Sequence, residues 1–282
     1  MSGLNIDLSS SAPQRHWVID QIAFDQIAHD RIANEDTWFY VLAAASFVES
    51  LADLYTKSLL THMAGDAEVS QWLREQWEPE EMQHGRALRR YVEEVWPEFD
   101  WQKAYEEFCI DYRPYCKPEL LEPTRALEMV ARCVVETGTS GLYGLLMEIS
   151  PEPVLKTLTG HIRNDEVRHY KYFYHYFLRY RELERPSRWQ VARVLRRRLG
   201  AIGQEDAYLA VKNAFVVRHP GKAFGPEDFQ QLQRVAGALA RSRYPCEMTV
   251  KMLLKPLHLP GFINRVAQPL LVRHARRVVA PA

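Results

Sequence analysis

The chain has 282 residues, of which 47% are hydrophobic and 26% charged, with 36 basic and 36 acidic side chains. That is enough apolar content for one large core and too much for a disordered chain, and no run of 18 apolar residues offers a membrane span. The neutral total conceals a division: residues 1–180 carry 17 basic and 29 acidic side chains, whereas residues 181–282 carry 19 and 7, a net of +12.

The opening Met1-Ser2-Gly3-Leu4-Asn5-Ile6-Asp7 lacks the basic patch and apolar stretch of a secretory signal. Cys109, Cys116, Cys133 and Cys246 show neither Cys-x-x-Cys nor framework spacing. A cytoplasmic protein with reduced thiols is the expectation. Nucleic-acid binding is disfavoured, because neither a reading motif nor basic–aromatic interleaving occurs.

From about Pro13 to Ala33, the pattern Trp17, Ile19, Ile22, Ala23, Ile27, Ile32 among Asp and Gln predicts a first amphipathic helix, with His29 structural. Helix two is expected over about 36–63 and helix three over about 67–95, before Pro97. Glu49 is a charge in an apolar run, Ala43-Ala44-Ala45-Ser46-Phe47-Val48, and small residues flank it. Helix three carries Glu80-Glu81-Met82-Gln83-His84-Gly85. At about 100° per residue, Glu81 and His84 lie about 60° apart and share one arc of the helix.

Residues 98–122, with Pro114 and Pro118, read as a connection containing a short helix, and Pro123 suits the start of helix five over about 124–149. Glu136 follows the apolar Cys133-Val134-Val135. Gly138, Gly141 and Gly144 are costly inside a helix unless close packing or a cavity needs them. Arg132, one turn before Glu136, has two readings: pairing with Glu128 or another acid, or holding a substrate carboxylate. Helix six, over about 152–180, carries Asp165, Glu166 and His169 on one arc and an aromatic run, Tyr170 to Tyr176, that reads as core.

The last third reads as four short helices, near 188–198, 205–217, 226–243 and 245–254, without a chemical motif. Its basic surface suits an acidic partner, an anionic membrane surface along Leu257 to Arg277, or the acidic remainder of the chain itself.

With 24 Glu and 10 His in the chain, roughly one Glu-x-x-His arises by chance. The turns carry more weight than the motifs. Two antiparallel helices joined by a short loop bring together residues equidistant from that loop. Gly65 is the midpoint of Glu49 and Glu81, and Pro151 the midpoint of Glu136 and Glu166; both residue types interrupt helices. Each hairpin therefore carries its glutamates level, roughly 22 to 24 Å from its turn at about 1.5 Å per residue. A four-helix bundle can hold two metals with a lone Glu from each of two helices and a Glu-x-x-His from each of the others. Four carboxylates in an apolar core require neutralisation, and two divalent cations cancel four negative charges. Oxygen-rich ligation with only two imidazoles suits iron or manganese better than copper or zinc.

These residues resemble the ferritin-like di-iron carboxylate superfamily and, within it, the soluble acyl-carrier-protein desaturases. The likeness rests on Glu-Glu-x-x-His-Gly at 80–85, Asp-Glu-x-Arg-His at 165–169, and Glu136-Thr137-Gly138-Thr139, and covers about residues 36–182. It implies an all-α fold: a ferritin-like four-helix bundle within residues 1–182, with additional N- and C-terminal helices and a basic helical extension, 183–282, packed on it. It implies two ferrous ions, with manganese admissible at one site. Glu81 and Glu166 would bridge them, while Glu49, His84, Glu136 and His169 would be terminal ligands. Thr139 would be the catalytic residue beside the oxygen-binding face, Asp165 would serve His84, and Glu80 would serve His169. Met82 and Gln83 stand where the desaturases usually have Asn and Arg, Tyr170 replaces an acidic residue, and the chain is shorter than the plant enzymes. Those departures bear on the substrate rather than on the metal ligands.

The expected activity is O2-dependent desaturation or hydroxylation of an acyl chain on an acyl carrier protein. The resemblance also implies a homodimer. No flavin, nicotinamide or iron–sulfur motif is visible, so electrons would come from an external donor such as a ferredoxin. Three alternatives stand beside it: oxygenation of a small free acid or amine anchored by Arg132, ferritin-like iron oxidation and storage, and a manganese/iron ligand-binding or radical-generating protein. The long C-terminal third and Thr139 speak against storage.

Overall fold

The structure, a computed structural model, describes residues 16–201, 206–240 and 243–279, and among these every regular element is helical. The opening heptad, the Pro13 start of the first predicted helix and the Glu205 start of a later one lie outside the described residues. No described helix is long and apolar enough to cross a membrane.

Two long helices, α6 (Arg125–Ile149) and α7 (Pro153–Glu184), form a hairpin packed along its length. Thr124 caps α6 by accepting from the Leu127 amide at 3.3 Å, and the Glu152 carboxylate caps α7 by accepting from the Val154 and Leu155 amides at 3.0 and 2.7 Å. Such caps each stabilise a helix by about 1 kcal/mol.

The facing pair is α1 (Asp36–Glu49) against α4 (Glu78–Val95). Beyond them lie α2 (Ala52–His62) and α3 (Ala67–Trp72), which meet at a turn where Gly65 adopts φ 91°, a conformation that favours glycine. Neither arm is the uninterrupted helix that the periodicity predicts. The first breaks directly after Glu49: the Ser50 hydroxyl bonds back to Ser46 O at 2.7 Å and the Leu51 amide tightens onto Val48 O at 3.1 Å. In the second, a π-helical turn, Leu73–Trp77, joins α3 to α4, with the Glu78 amide reaching back to Leu73 O. Pro79 has no amide hydrogen for the Glu75 carbonyl and its ring would crowd it; the widened turn makes room.

The first predicted helix is not formed. Residues 17–32 run as three short 3-10 turns, Ile19–Gln21, Phe24–Gln26 and His29–Arg31. Trp17, Ile22, Ile27 and Ile32 are buried nonetheless. They recur every five residues, a spacing that spirals around an α-helix instead of making one face, so an irregular strap buries them better.

The last third packs on the helical body. The helix α8 (Arg188–Ala201) lies on α6; α9 (Asp206–Arg218) lies on α1 and on α5 (Trp101–Tyr112). After α10 (Pro226–Ala240), α11 (Cys246–Leu254) returns to α6. A fifth helix, α12 (Gly261–Val279), follows the four read from the sequence and runs through Pro269; Val272 and Ala275 pack on α11 beyond it.

The apolar core has two large parts besides the small cluster of Cys246, Val250, Leu254 and Val272 between α11 and α12. One gathers Phe39, Phe47, Trp101, Phe108, Leu155 and Ile162; the other gathers Leu73, Trp77, Val130, Val134, Phe173 and Phe177. Between them α6 and α7 bury Glu136, Ser140, Asp165, Glu166 and His169. The molecule thus contains a polar layer between two apolar ones.

Candidate metal centre

Glu49, the last residue of α1, Glu81 and His84 of α4, Glu136 of α6, and Glu166 and His169 of α7 gather in one buried cluster. One ligand atom from each of Glu49, Glu81, His84 and Glu166 can be chosen so that all lie within 4.8 Å of one another; the same holds for Glu81, Glu136, Glu166 and His169. The two groups share Glu81 and Glu166. The arrangement is therefore of two adjacent positions, each with one imidazole and one carboxylate of its own and two carboxylates in common.

At the break after Glu49, α4 approaches closely. A Cβ on Gly85 would come within 2.5 Å of the Ser50 hydroxyl and 2.8 Å of its backbone nitrogen. Only glycine lets α4 lie there, next to His84.

Each imidazole is anchored on its outer side. His84 Nε2 lies 3.0 Å from Asp165 Oδ2, and His169 Nε2 lies 2.7 Å from Glu80 Oε2. Arg168 donates through one Nη2 to Asp165 at 2.8 Å and to Glu80 at 3.1 Å, tying the two anchors together. The Trp17 indole N–H donates to Asp165 Oδ2 at 2.8 Å while its ring lies parallel to His84. With Nε2 engaged, each Nδ1 turns inward: that of His84 is 3.2 Å from Glu166 Oε1, and that of His169 is 2.9 Å from Glu81 Oε1.

Among the six cluster residues, four buried atoms lack a hydrogen-bond partner: His84 Nδ1, His169 Nδ1, Glu136 Oε2 and Glu166 Oε1. Leaving buried polar atoms unsatisfied costs about 1 to 3 kcal/mol each. All four belong to proposed ligands and face the cluster. A cation coordinated there would satisfy them together, so the residues present fit a metal.

The electrostatics agree. Burial pushes Glu136 well above the ordinary carboxylate value, and Glu166 adds to the effect, against the opposing pull of His169. For His84 and His169 burial opposes the charge, but the surrounding carboxylates outweigh it and hold both well above the ordinary imidazole value. Asp165, in contrast, is held below the carboxylate range, because His84, Arg168 and Trp17 outweigh its burial.

Thr139 donates to Glu166 Oε2 at 2.5 Å, at the edge of the layer. Arg132 is turned to Glu128, with Nε 3.0 Å from Oε1, so its charge is already matched. Gly141 answers the packing alternative: a Cβ there would strike Tyr244 and touch Thr249.

Three contributors escaped the sequence reading. Tyr143 donates its hydroxyl to Glu49 Oε1 at 2.5 Å; it stands seven residues after Glu136, two turns along the same face, but so does any aliphatic core residue. Arg168 sits inside the Asp-Glu-x-Arg-His motif without spacing that assigns it a partner. Trp17 lies in the irregular strap, where no periodicity indicates what it touches. A scan against protein-family models and a search of curated proteins match nothing to this chain.

Proposed function

We propose that the centre holds two iron ions and that the protein is a ferritin-like di-iron oxidase or oxygenase acting with O2 on an acyl chain. The observation that carries the metal assignment is the convergence of unpartnered buried His and Glu atoms on two positions sharing Glu81 and Glu166. The ligand set, four carboxylates and two imidazoles, favours iron, with manganese as the alternative at one position. The choice of acyl chemistry rests on the resemblance to the soluble acyl-carrier-protein desaturases in the motifs at 80–85, 136–139 and 165–169. Placement of the six ligands on α1, α4, α6 and α7 is compatible with a ferritin-like bundle.

Bound ferrous iron would supply the electrons that reduce O2 and the oxidising power that attacks an unactivated C–H bond. The chain's own part is orientation and exclusion. Asp165 and Glu80 hold the Nε2 atoms of His84 and His169, which leaves both Nδ1 atoms facing inward. Tyr143 fixes Glu49, and Thr139 keeps a hydroxyl proton at Glu166. The apolar parts above and below exclude bulk water. Electrons for turnover would come from an external donor such as a ferredoxin, and the acyl chain from an acyl carrier protein.

The test has two stages. Anaerobic titration with ferrous iron should saturate near two per chain; zero or one would end the di-iron assignment. Reduced, iron-loaded protein is then exposed to O2 with acyl-carrier-protein thioesters, free acids and aryl amines, and product mass is followed. Loss of two hydrogens indicates desaturation, and gain of one oxygen indicates hydroxylation. Oxygenation of a free acid or amine with every thioester inert would reject the acyl reading while leaving the metal site standing.

A further inference from the structure

We propose that α12 docks the protein on an anionic phospholipid surface, with its exposed apolar side chains entering the acyl layer and its arginines meeting lipid phosphates. Phe262, Val266, Leu270, Arg273 and Arg277 follow one another at intervals of three or four residues, so they form one stripe along the helix. The stripe faces outward: Phe262 is 72%, Val266 62% and Leu270 57% exposed, and Ile263 and Leu271 flank it, also exposed. The apolar half occupies the start of the helix and the basic half its end.

A groove of about 730 Å³ beside the stripe is lined by Arg265, Arg273, Arg276 and Arg277, with Glu247 as its acidic member. Glu247 takes Arg276 at 2.9 Å. Arg265, Arg273 and Arg277 have no acidic partner among the described residues, and α12 contains no Asp or Glu. Unmatched cations around a recess call for anions; large apolar side chains in water beside them call for a nonpolar phase. An anionic lipid interface supplies both at once, and a helix with this division of residues lies in its plane. An acidic protein would meet the arginines equally well. It would need a shaped apolar counterpart for the uneven row Phe262 to Leu270, whereas a fluid acyl layer accepts such a row without one.

The neighbouring surface extends the argument. The turn Lys255–Leu257 that leads to α12 packs against α8, and α8 exposes Trp189 to 83% beside Arg188. Tryptophan and arginine together are frequent at the headgroup level of membranes.

Flotation of the full chain with vesicles tests this. Wild type should float with vesicles in which a third of the lipid is phosphatidylglycerol and remain behind with phosphatidylcholine alone. A basic residue near an anionic surface is worth about 1 kcal/mol, so Arg273→Ala with Arg277→Ala should weaken partition roughly 30-fold. Phe262→Ser with Leu270→Ser should abolish flotation while the arginines remain. All four positions are exposed, so melting temperature and metal stoichiometry should stay at wild-type values and exclude misfolding as the cause. Equal flotation with neutral and anionic vesicles, or unchanged flotation in either variant, overturns the proposal. So does displacement by inorganic phosphate at matched ionic strength, which would make the groove a free-anion site. A concentration-dependent dimer lost in Leu270→Ser without vesicle binding would assign the face to a second copy, and capture of an acidic carrier protein without vesicle binding would assign it to that partner.

Discussion

The Tyr143 hydroxyl donates to Glu49 Oε1 at 2.5 Å, joining the middle of α6 to the residue on which α1 ends. Burial and the adjacent Glu49 carboxylate push Tyr143 well above the ordinary phenol value, so it keeps its proton and remains a donor. Tyr143→Phe preserves the ring and removes the bond. A hydrogen bond to a charged group contributes about 1.5 to 3 kcal/mol, so the position built on Glu49 and His84 should bind metal roughly ten-fold more weakly or worse. Titration should separate into two steps, with the Glu136–His169 position little changed. Two unaltered steps would mean that Tyr143 only fills space.

Gly85→Ala tests the contact that places Glu49. Its Cβ would meet the Ser50 backbone, which cannot swing aside as a long side chain can. Overpacking of this kind costs about 1 to 3 kcal/mol. The expected result is a lower melting temperature in metal-free protein together with weaker metal binding, since the α1 break and Glu49 move as one. Loss of stability with untouched metal affinity would separate the two.

Asp165→Asn and Glu80→Gln address the outer anchors of His84 and His169. Removing such a partner typically weakens metal affinity or activity about 10- to 100-fold. Trp17→Phe, which withdraws one donor from Asp165, should act in the same direction and less strongly. Isothermal titration of the three variants gives the order. Wild-type affinity in both acid variants would show that the imidazoles are held by packing alone.

Metal loading should offset a loss of stability that the metal-free protein shows as pH rises. His84 and His169 are raised, despite burial, by the carboxylates around them, and Glu136 is raised chiefly by burial. Stability from a histidine with a raised folded value is present below its unfolded value and is lost as pH rises through the folded value; Glu136 acts in the same sense. The metal-free melting temperature should therefore fall as pH rises above the ordinary imidazole range. Metal must displace these protons, so binding releases them and tightens over that same range. The rise in melting temperature on loading should grow with pH. A constant rise, with no proton uptake or release on titration, would place the metal elsewhere.

The ligand set was legible in the chain because a helical hairpin is close to a one-dimensional object. Equal distances from Gly65 and from Pro151 bring Glu49 level with Glu81 and Glu136 level with Glu166, and the i,i+3 spacing of Glu81–His84 and Glu166–His169 fixes a shared arc. The apolar and capping patterns that delimit α6 and α7 are equally local. Tertiary structure alone decided what lies around them. Trp17 reaches Asp165 from an irregular strap, Arg168 joins acids from two helices, and Gly85 lets α4 approach Ser50 directly after Glu49. Those contacts depend on the separation and rotation of whole helices, which no periodicity encodes. The π-helical turn before Pro79 and the continuation of α12 through Pro269 are of the same kind. Before Pro79 the backbone widens to accommodate the ring, and beyond Pro269 the packing of Val272 and Ala275 on α11 holds the helix together.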